Sequence, residues 1–472
     1  MADRVLPSNA DYRKVLPLAV ESTTQRRTFF PVNGSSFTSD GNNIIRIDVS
    51  GDAFLDPKHS YLKFRFTNGS GQAFGVDFGG GHSFIRRMRI EQSGNVLSDV
   101  NQYNKLLSAI LLPAQGNENL NAHRSITEAT RAGNDGANGN NELPCPAADI
   151  SGATLASCAT QTAGLMVNGL QWEFCIPLVN GLLGTTQSKM VPLQLLGSSP
   201  ITIELELAPL LDVGAFGAAP GGNYTLDNVR YIAQMVEVPP VVNSQLRMVQ
   251  ELSGGKLVLN GTDFTHFNSN IAANQGGMVS LNVPARRKSM KSIFFVGASQ
   301  TYGAAVAQDA GYNLSFGGHL GLTTYQAKIG SIMVPPTPIE CDFTGANGPH
   351  FTRGEALMEL KKCFGTISST HGCGILSTIN YMTNNGANAG MPVPSGPGAL
   401  NTPYSFSPFG IDLESFQRTA IESGVNTASR ATPITLLLNV GAASVEAQNI
   451  DAYVAYDSLY YIDESGTIRV SL

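Results

Sequence analysis

The side chains able to do chemistry are thinly spread in this sequence. The histidines, at positions 59, 82, 123, 266, 319, 350 and 371, do not cluster. The densest metal-type grouping is Cys363, His371 and Cys373. Its C-x7-H-x-C spacing lacks the paired ligands of a zinc finger and has no fourth partner nearby, so the three are read as buried or loop residues. Gly79 to Ser83, GGGHS, resembles an anion-binding loop, but no lysine followed by serine or threonine comes after it and the next segment alternates like a strand. It is read as a flexible turn. Arg286, Arg287 and Lys288, with Lys291, form a basic cluster after a strand and are read as a solvated turn. Trp172 sits in an alternating segment and is read as packing. Neither a G-x-S-x-G elbow nor an H-E-x-x-H motif occurs, and no G-x-G-x-x-G precedes a credible helix. Paired glycosidase carboxylates have no characteristic sequence spacing, so that class is not excluded at this point. No catalytic, cofactor-binding or metal residue is assigned, and a non-enzymatic role without a small-molecule substrate is expected.

Elements that could position a site point in one direction. Charged residues make up 14% of the chain, against about 25% in ordinary soluble proteins. The 50 glycines and 25 prolines imply many turns and few long helices, which favours an all-β fold. Low charge suits a surface covered by copies of itself, and equally a secreted β protein with long polar loops. A net charge of −6 argues against nucleic-acid binding by the chain as a whole. The six cysteines, Cys145, Cys158, Cys175, Cys341, Cys363 and Cys373, are too few for a disulfide framework and are expected as free thiols. The start, MADRVLPSNADYRK, lacks the apolar core of a secretory signal, so an intracellular site of synthesis is expected.

Within the 472 residues, the clearest pattern is GNNIIRIDVSGDAFLDPKHSYLKFRFTN, from Gly41 to Asn68. Ile45, Ile47 and Val49 share one face of an extended segment, and Leu62, Phe64 and Phe66 share one face of a second. The linker GDAFLDPKH is too long for a two-residue hairpin and suits a chain stepping from one sheet of a sandwich to the other. Residues 1–25 read as an arm. Further strands are predicted at RRTFFPV, FIRRMRIEQSG, GLQWEFCIPLV, PITIELELA and NVRYIAQMVEV. The spacing of Val100, Tyr103, Leu107, Ile110 and Leu111 predicts a short helix capped by Ser98 or Asp99. Residues 114–169 read as a long polar surface loop, and Pro239 with Pro240 as a boundary.

The second half repeats this order. QLRMVQEL, KLVLNGTDFTHF, GMVSLNVP and MKSIFFVGAS read as strands, a glycine-rich stretch follows, and residues 384–402 form a second long loop. IDLESFQRTAIESG reads as a helix capped by Asp412. PITIELEL from Pro200 matches PITLLLNV from Pro433, an offset of 233 (433 − 200), and NVRYIA from Asn228 matches NIDAYVA from Asn449, an offset of 221 (449 − 228). The shared order of the two matches points to an internal duplication. The expected layout is an arm at 1–25 and similar halves at 26–238 and 241–472.

The segment 41–68, together with FIRRMRIEQSGNVLSDVNQYNKL and the closing VAYDSLYYIDESGTIRV, resembles the double jelly-roll major capsid proteins of tailless icosahedral double-stranded DNA viruses, of the polinton-like virus and virophage type. These stretches are a minority of the chain. The resemblance implies two tandem eight-stranded jelly-roll sandwiches with short helices and long loops. It also implies a homotrimer acting as a pseudo-hexameric capsomer in the virion, assembled inside the host cell. Neighbouring capsomers, penton and minor capsid proteins would be partners. The loops at 114–169 and 384–402 would form towers or clasps, and the N-terminal arm would meet an inner membrane or the genome. The competing readings are a carbohydrate-binding or carbohydrate-active β-sandwich, which usually needs an export signal, and a minor vertex or fibre protein.

Overall fold

The computed structural model describes residues 22–71, 74–76, 79–114, 127, 168–169, 171–186, 189–197, 199–216, 220–299, 314, 320–341, 354–364, 408–415, 424–429, 432–441 and 447–471. Its first eight principal strands are β1 (Thr23–Phe29), β2 (Ile44–Val49), β3 (Phe54–Gly69), β4 (Ile85–Gln92), β5 (Asn95–Asn101), β6 (Gln171–Ile176), β7 (Ile201–Leu207) and β8 (Asn223–Glu237). They form two antiparallel sheets, β1-β8-β3-β6 and β2-β7-β4-β5. The next eight are β9 (Lys256–Ile271), β10 (Gly277–Val283), β11 (Met290–Ser299), β12 (Leu322–Ile329), β13 (Ile332–Glu340), β14 (Phe409–Asp412), β15 (Ile434–Val440) and β16 (Gln448–Asp463). These pair as β9-β16-β11-β14 and β10-β15-β12-β13. Counted from one to eight in each half, the order is the same, 1-8-3-6 and 2-7-4-5. Two eight-stranded jelly rolls therefore follow one another along the chain. The two matched sequence pairs fall on strands seven and eight of each half.

The segment 41–68 folds as its alternation predicts. Ile45, Ile47 and Val49 are buried, while Arg46 and Asp48 reach across to β7, Arg46 Nε donating to Glu204 at 2.8 Å and Thr202 Oγ1 to Asp48 at 2.7 Å. The chain crosses between the sheets in residues 50–53, because β3 starts at Phe54, ahead of the predicted SYLK. Pro57 lies where the β3–β8 register shifts, a place where a missing N–H breaks no ladder bond. Leu62, Phe64 and Phe66 then face the core. There Phe64, Phe66, Phe84, Phe174 and Tyr224 pack with ring centroids 5.1–6.2 Å apart.

Several local expectations need correcting. Ser98 and Asp99 do not cap a helix. They lie in β5, joined to β4 by a two-residue turn in which Ser93 (φ 51°) and Gly94 (φ 78°) are both left-handed, the twist that a tight hairpin needs. Arg87 clamps Asp99 across this hairpin at 2.8 and 2.6 Å. The helical segment α1 (103–114) starts after Gln102 and passes through a π-helical stretch at Leu106–Leu111. QLRMVQEL is not a strand but part of α2 (Pro240–Leu252), with Pro240 in the first turn, where its absent N–H is harmless. The glycine-rich stretch of the second half hides β12 and β13. β13 carries Pro335, Pro336 and Pro338, which is tolerated because it is the sheet edge. Asp412 ends β14, and its carboxylate accepts the Glu414 N–H at 3.1 Å. Residues 416–423 of the predicted helix lie outside the described residues, as do 384–402 and nearly all of 114–169. The helix α3 (Gly354–Cys363) follows β13 as α1 follows β5.

Each sandwich has its own core, but they are built unequally. In the second half, Ile293, Phe295, Ile450, Ala452 and Val454 point into the core of their own jelly roll. Their strand neighbours Phe294, Val296, Tyr453 and Ala455 point the other way and join the core of the first. The sheet β9-β16-β11-β14 is thus buried on both faces in its middle, which explains why AYVAY near the end of the chain is apolar without alternation.

Candidate functional site at the junction of the jelly rolls

The most elaborate polar arrangement lies where β5 and α1 of the first half meet the outer face of β9, β11 and β16. Lys105 in α1 pairs with Asp451 in β16. His266 Nε2 lies 2.8 Å from Asp451 Oδ1, and Asn268 Nδ2 donates to the same oxygen at 2.9 Å. All three of Lys105, His266 and Asp451 are largely buried, with side-chain exposures of 13%, 11% and 7%. Burial by itself would push the Asp451 carboxyl up. Lys105 and His266 more than offset this and hold it well below the usual carboxylate range. Alongside, Tyr453 donates from its hydroxyl to the Gln102 carbonyl at 3.0 Å.

A second carboxylate behaves oppositely. Asp263 in β9 is fully buried, accepts the Phe264 N–H at 2.9 Å and is hydrogen-bonded by Ser98 of β5, which also accepts from Asn180 at 2.6 Å. Burial pushes its pKa up to about 6 from 3.8, because no cation touches it closely enough to offset the desolvation. The group therefore favours the folded state below the ordinary carboxylate range, and that contribution is lost as pH rises through about 6. Asp263→Asn should remove this dependence, becoming more stable than wild type by up to ~3 kcal/mol above pH ~6 and nearly equal below pH ~4, at 1.36 kcal/mol per pKa unit. Urea unfolding across that range checks it, and a difference that does not grow with pH would count against it.

Backbone contacts close the junction. Thr186 Oγ1 donates to the Thr262 carbonyl at 2.8 Å. Gln92 receives the Ile468 N–H at 2.7 Å and donates to the Gly466 carbonyl at 3.0 Å, fastening the last strand, β17 (Ile468–Ser471), to β4. A Cβ at Gly261 would sit 2.1 Å from the Gly181 carbonyl oxygen, so two backbones cross here with no room for a side chain. Gly261→Ala should lower stability by about 1–3 kcal/mol through overpacking, read as a reduced denaturation midpoint. An unchanged midpoint would mean that the two segments part freely.

The residues singled out in the sequence do not gather here, except one. His266 joins the junction, His59 is exposed beside Asp56 at 2.7 Å, His82 is buried, and the other histidines lie outside the described residues. Cys363 ends α3, its thiol near the Glu359 carbonyl at 3.4 Å and pushed up by burial. His371 and Cys373 lie outside the described residues, among which no group of three or more His, Cys, Asp or Glu could hold a metal. Gly80–Phe84 is a fully buried 3-10 turn rather than a flexible one. The basic cluster is engaged internally. Arg287 lies over the Tyr456 ring at 4.2 Å, Lys288 donates to Ser471 at 2.7 Å, and Lys291 pairs with Asp457 at 3.0 Å. Trp172 is half-buried against the first core. Sequence reasoning missed Lys105, Asp263 and Asp451. The available signal was a lone carboxylate inside otherwise apolar strands, in GTDFTHF and NIDAYVAY.

No protein-family model and no curated protein matches this sequence. Solved structures do match, from end to end. The PBCV-1 protein VP54, as fitted into a reconstruction of the virophage Sputnik, aligns with a TM-score of 0.57 at 10% identity, covering 98% of this chain and 99% of its own. The Faustovirus major capsid protein aligns at 0.56 and 9% identity, covering 97% and 92%, and the mavirus major capsid protein at 0.51 and 12%, covering 100% and 96%. The protein is a double jelly roll. Its fold is the one seen in those viral proteins.

Proposed function

We propose that this chain is a major capsid protein that trimerises into pseudo-hexameric capsomers and builds the icosahedral shell of a double-stranded DNA virus. The observation that carries the reading is the pair of identically ordered jelly rolls sharing one doubly buried sheet, with little chain left over relative to capsid proteins of the same fold. Work of this kind needs shape rather than catalysis. Two rigid sandwiches joined at a fixed angle present a block with repeated sides, and three blocks supply six near-equivalent wedges. The reading takes 26–238 and 241–472 as the two wedges, the loops at 114–169 and 384–402 as towers or clasps, and residues 1–25 as an arm toward an inner membrane or the genome. Neighbouring capsomers, pentons and minor virion proteins are the partners, and no substrate is required.

The test is solution mass by light scattering, with negative-stain images of the same fraction. A stable species of about 150 kDa, three copies of the 50.0 kDa chain, with a hexagonal outline is expected. A monomer at every concentration and salt, with affinity for glycans, would replace this reading with the carbohydrate-binding sandwich.

A further inference from the structure

Resting on the capsid reading, we propose that copies of the chain join through a charge-reversed repeat of their own internal junction. In that repeat, β13 and α3 of one copy seat on the outer face of β1-β8-β3-β6 of the next. Within one chain the junction is heterologous: strand five and the following helix of the first jelly roll cover the 1-8-3-6 sheet of the second. Among the described residues the complementary pair is left open. β13 and α3 are strand five and the following helix of the second jelly roll, and they expose Ile332 (68%) and Met358 (43%). The matching sheet of the first jelly roll has β1 exposed along most of its length and directs Lys63, Arg65 and Arg230 outward, away from its buried Leu62, Phe64 and Tyr231; Lys63 is paired there with Glu173 and Arg65 with Asp227, which leaves Arg230 as the cation of this group with no such pair among the described residues.

Charge identifies the occupant as a second copy. The NVRYIA and NIDAYVA match sets Arg230 in the place of Asp451, and both point away from their own cores. Arg230 is half-buried, and its Nε has no hydrogen-bond partner among the described residues. At the helix start the reversal is mirrored. α1 carries Lys105, whereas the first turn of α3 carries Glu355, whose carboxylate accepts the Glu340 N–H at 3.2 Å and so stands beside the end of β13. Inside the chain the pair is Lys105 with Asp451. Between chains it becomes Glu355, next to Glu340, with Arg230. Crossed pairings would set Lys105 against Arg230 or Glu355 against Asp451, so the reversal also disfavours a wrong junction. A head-to-tail contact of this kind closes into a ring when the rotation allows, here after three copies.

The experiment uses the full chain in sedimentation velocity over a concentration series, with circular dichroism to confirm folding. Arg230→Glu and Glu355→Arg should each raise the concentration needed for trimers by about tenfold or more, a usual consequence of reversing one member of an interfacial charge pair. The combined exchange, Arg230→Glu with Glu355→Arg, should recover most of the loss. Wild-type trimers unaffected by either reversal, or a combined variant worse than both singles, would overturn this inference and leave the capsid reading standing. Normal trimers from Arg230→Glu that fail only in particle formation would assign the face to another partner and overturn it as well. A wild-type chain that never trimerises removes the capsid reading itself.

Discussion

Asp451→Ala should lower folding stability by about 3–5 kcal/mol, the loss expected when one partner of a buried ion pair is removed and the other stays in place. Three donors converge on this carboxylate from α1 and β9, and the substitution strands Lys105 in a site only 13% exposed. The pH dependence has a definite sign. A folded pKa held below the unfolded one gives stability that is present above the ordinary carboxylate range and is lost as pH falls through the folded value. The wild-type advantage over Asp451→Ala should therefore be full at neutral pH and shrink under acid, opposite to the trend for Asp263→Asn. Denaturation midpoints at pH 7 and pH 3 check both. Equal loss at the two pH values would mean that Asp451 acts through packing alone. Lys105→Met tests the same pair from the other side and should be milder, since His266 and Asn268 remain on the carboxylate.

Phe66→Ala should cost a comparable ~3–5 kcal/mol, for a different reason. Phe66 is fully buried at the centre of the first core, with Phe84 at 5.1 Å, Phe174 at 6.2 Å and Tyr224 at 6.2 Å between centroids. The ring neighbours are held on three separate elements, and Tyr224 is tied by its hydroxyl to the Ala208 carbonyl at 2.6 Å, so the void cannot collapse easily. Phe66→Leu, which keeps most of the volume, should recover more than half of the loss in urea or guanidinium unfolding. Because the first core also takes in Phe294 and Tyr453, the cavity is expected to loosen the junction and expose the second jelly roll earlier. Unfolding of the first half alone, with the second unaffected, would show that the two cores are energetically separate.

The two jelly rolls differ in how openly the sequence declares them. In the first, β3 has one face toward the core and one polar face, so alternation is visible in SYLKFRFT, and it shows again in the start of NVRYIAQ, where Val229 and Tyr231 are buried and Arg230 between them is not. In the second, the equivalent sheet is covered on both sides, so MKSIFFVGAS and AYVAYDSLYY are apolar without a clear period. Strands could still be read there from β-branched and aromatic content, but not which side chain faces which core. β13 went unread because prolines, which break interior strands, are permitted at an edge that only pairing reveals; β12 went unread because LTTYQAKI has no clean alternation, its middle being buried on consecutive residues. α2 was misread although Val242, Leu246 and Gln250 recur at helical spacing, because the stripe they form is narrow and mostly half-buried at the surface.

The all-β character, the stepping of the chain between two sheets at residues 41–68, and the repeated pattern on strands seven and eight of each half were legible in the residues themselves. All of these are local, since a strand needs one face to bury and a repeat needs only comparison. Which faces are shared follows from long-range packing. Lys105 and Asp451 are 346 residues apart, and neither spacing nor composition can state that they meet. Their contact follows from the second jelly roll lying with its sheet across β5 and α1, a docking that desolvates whatever charges it covers and so makes their pairing obligatory. The same docking leaves Arg230 and Glu355 outside it, which is where the proposed contact between copies would use them.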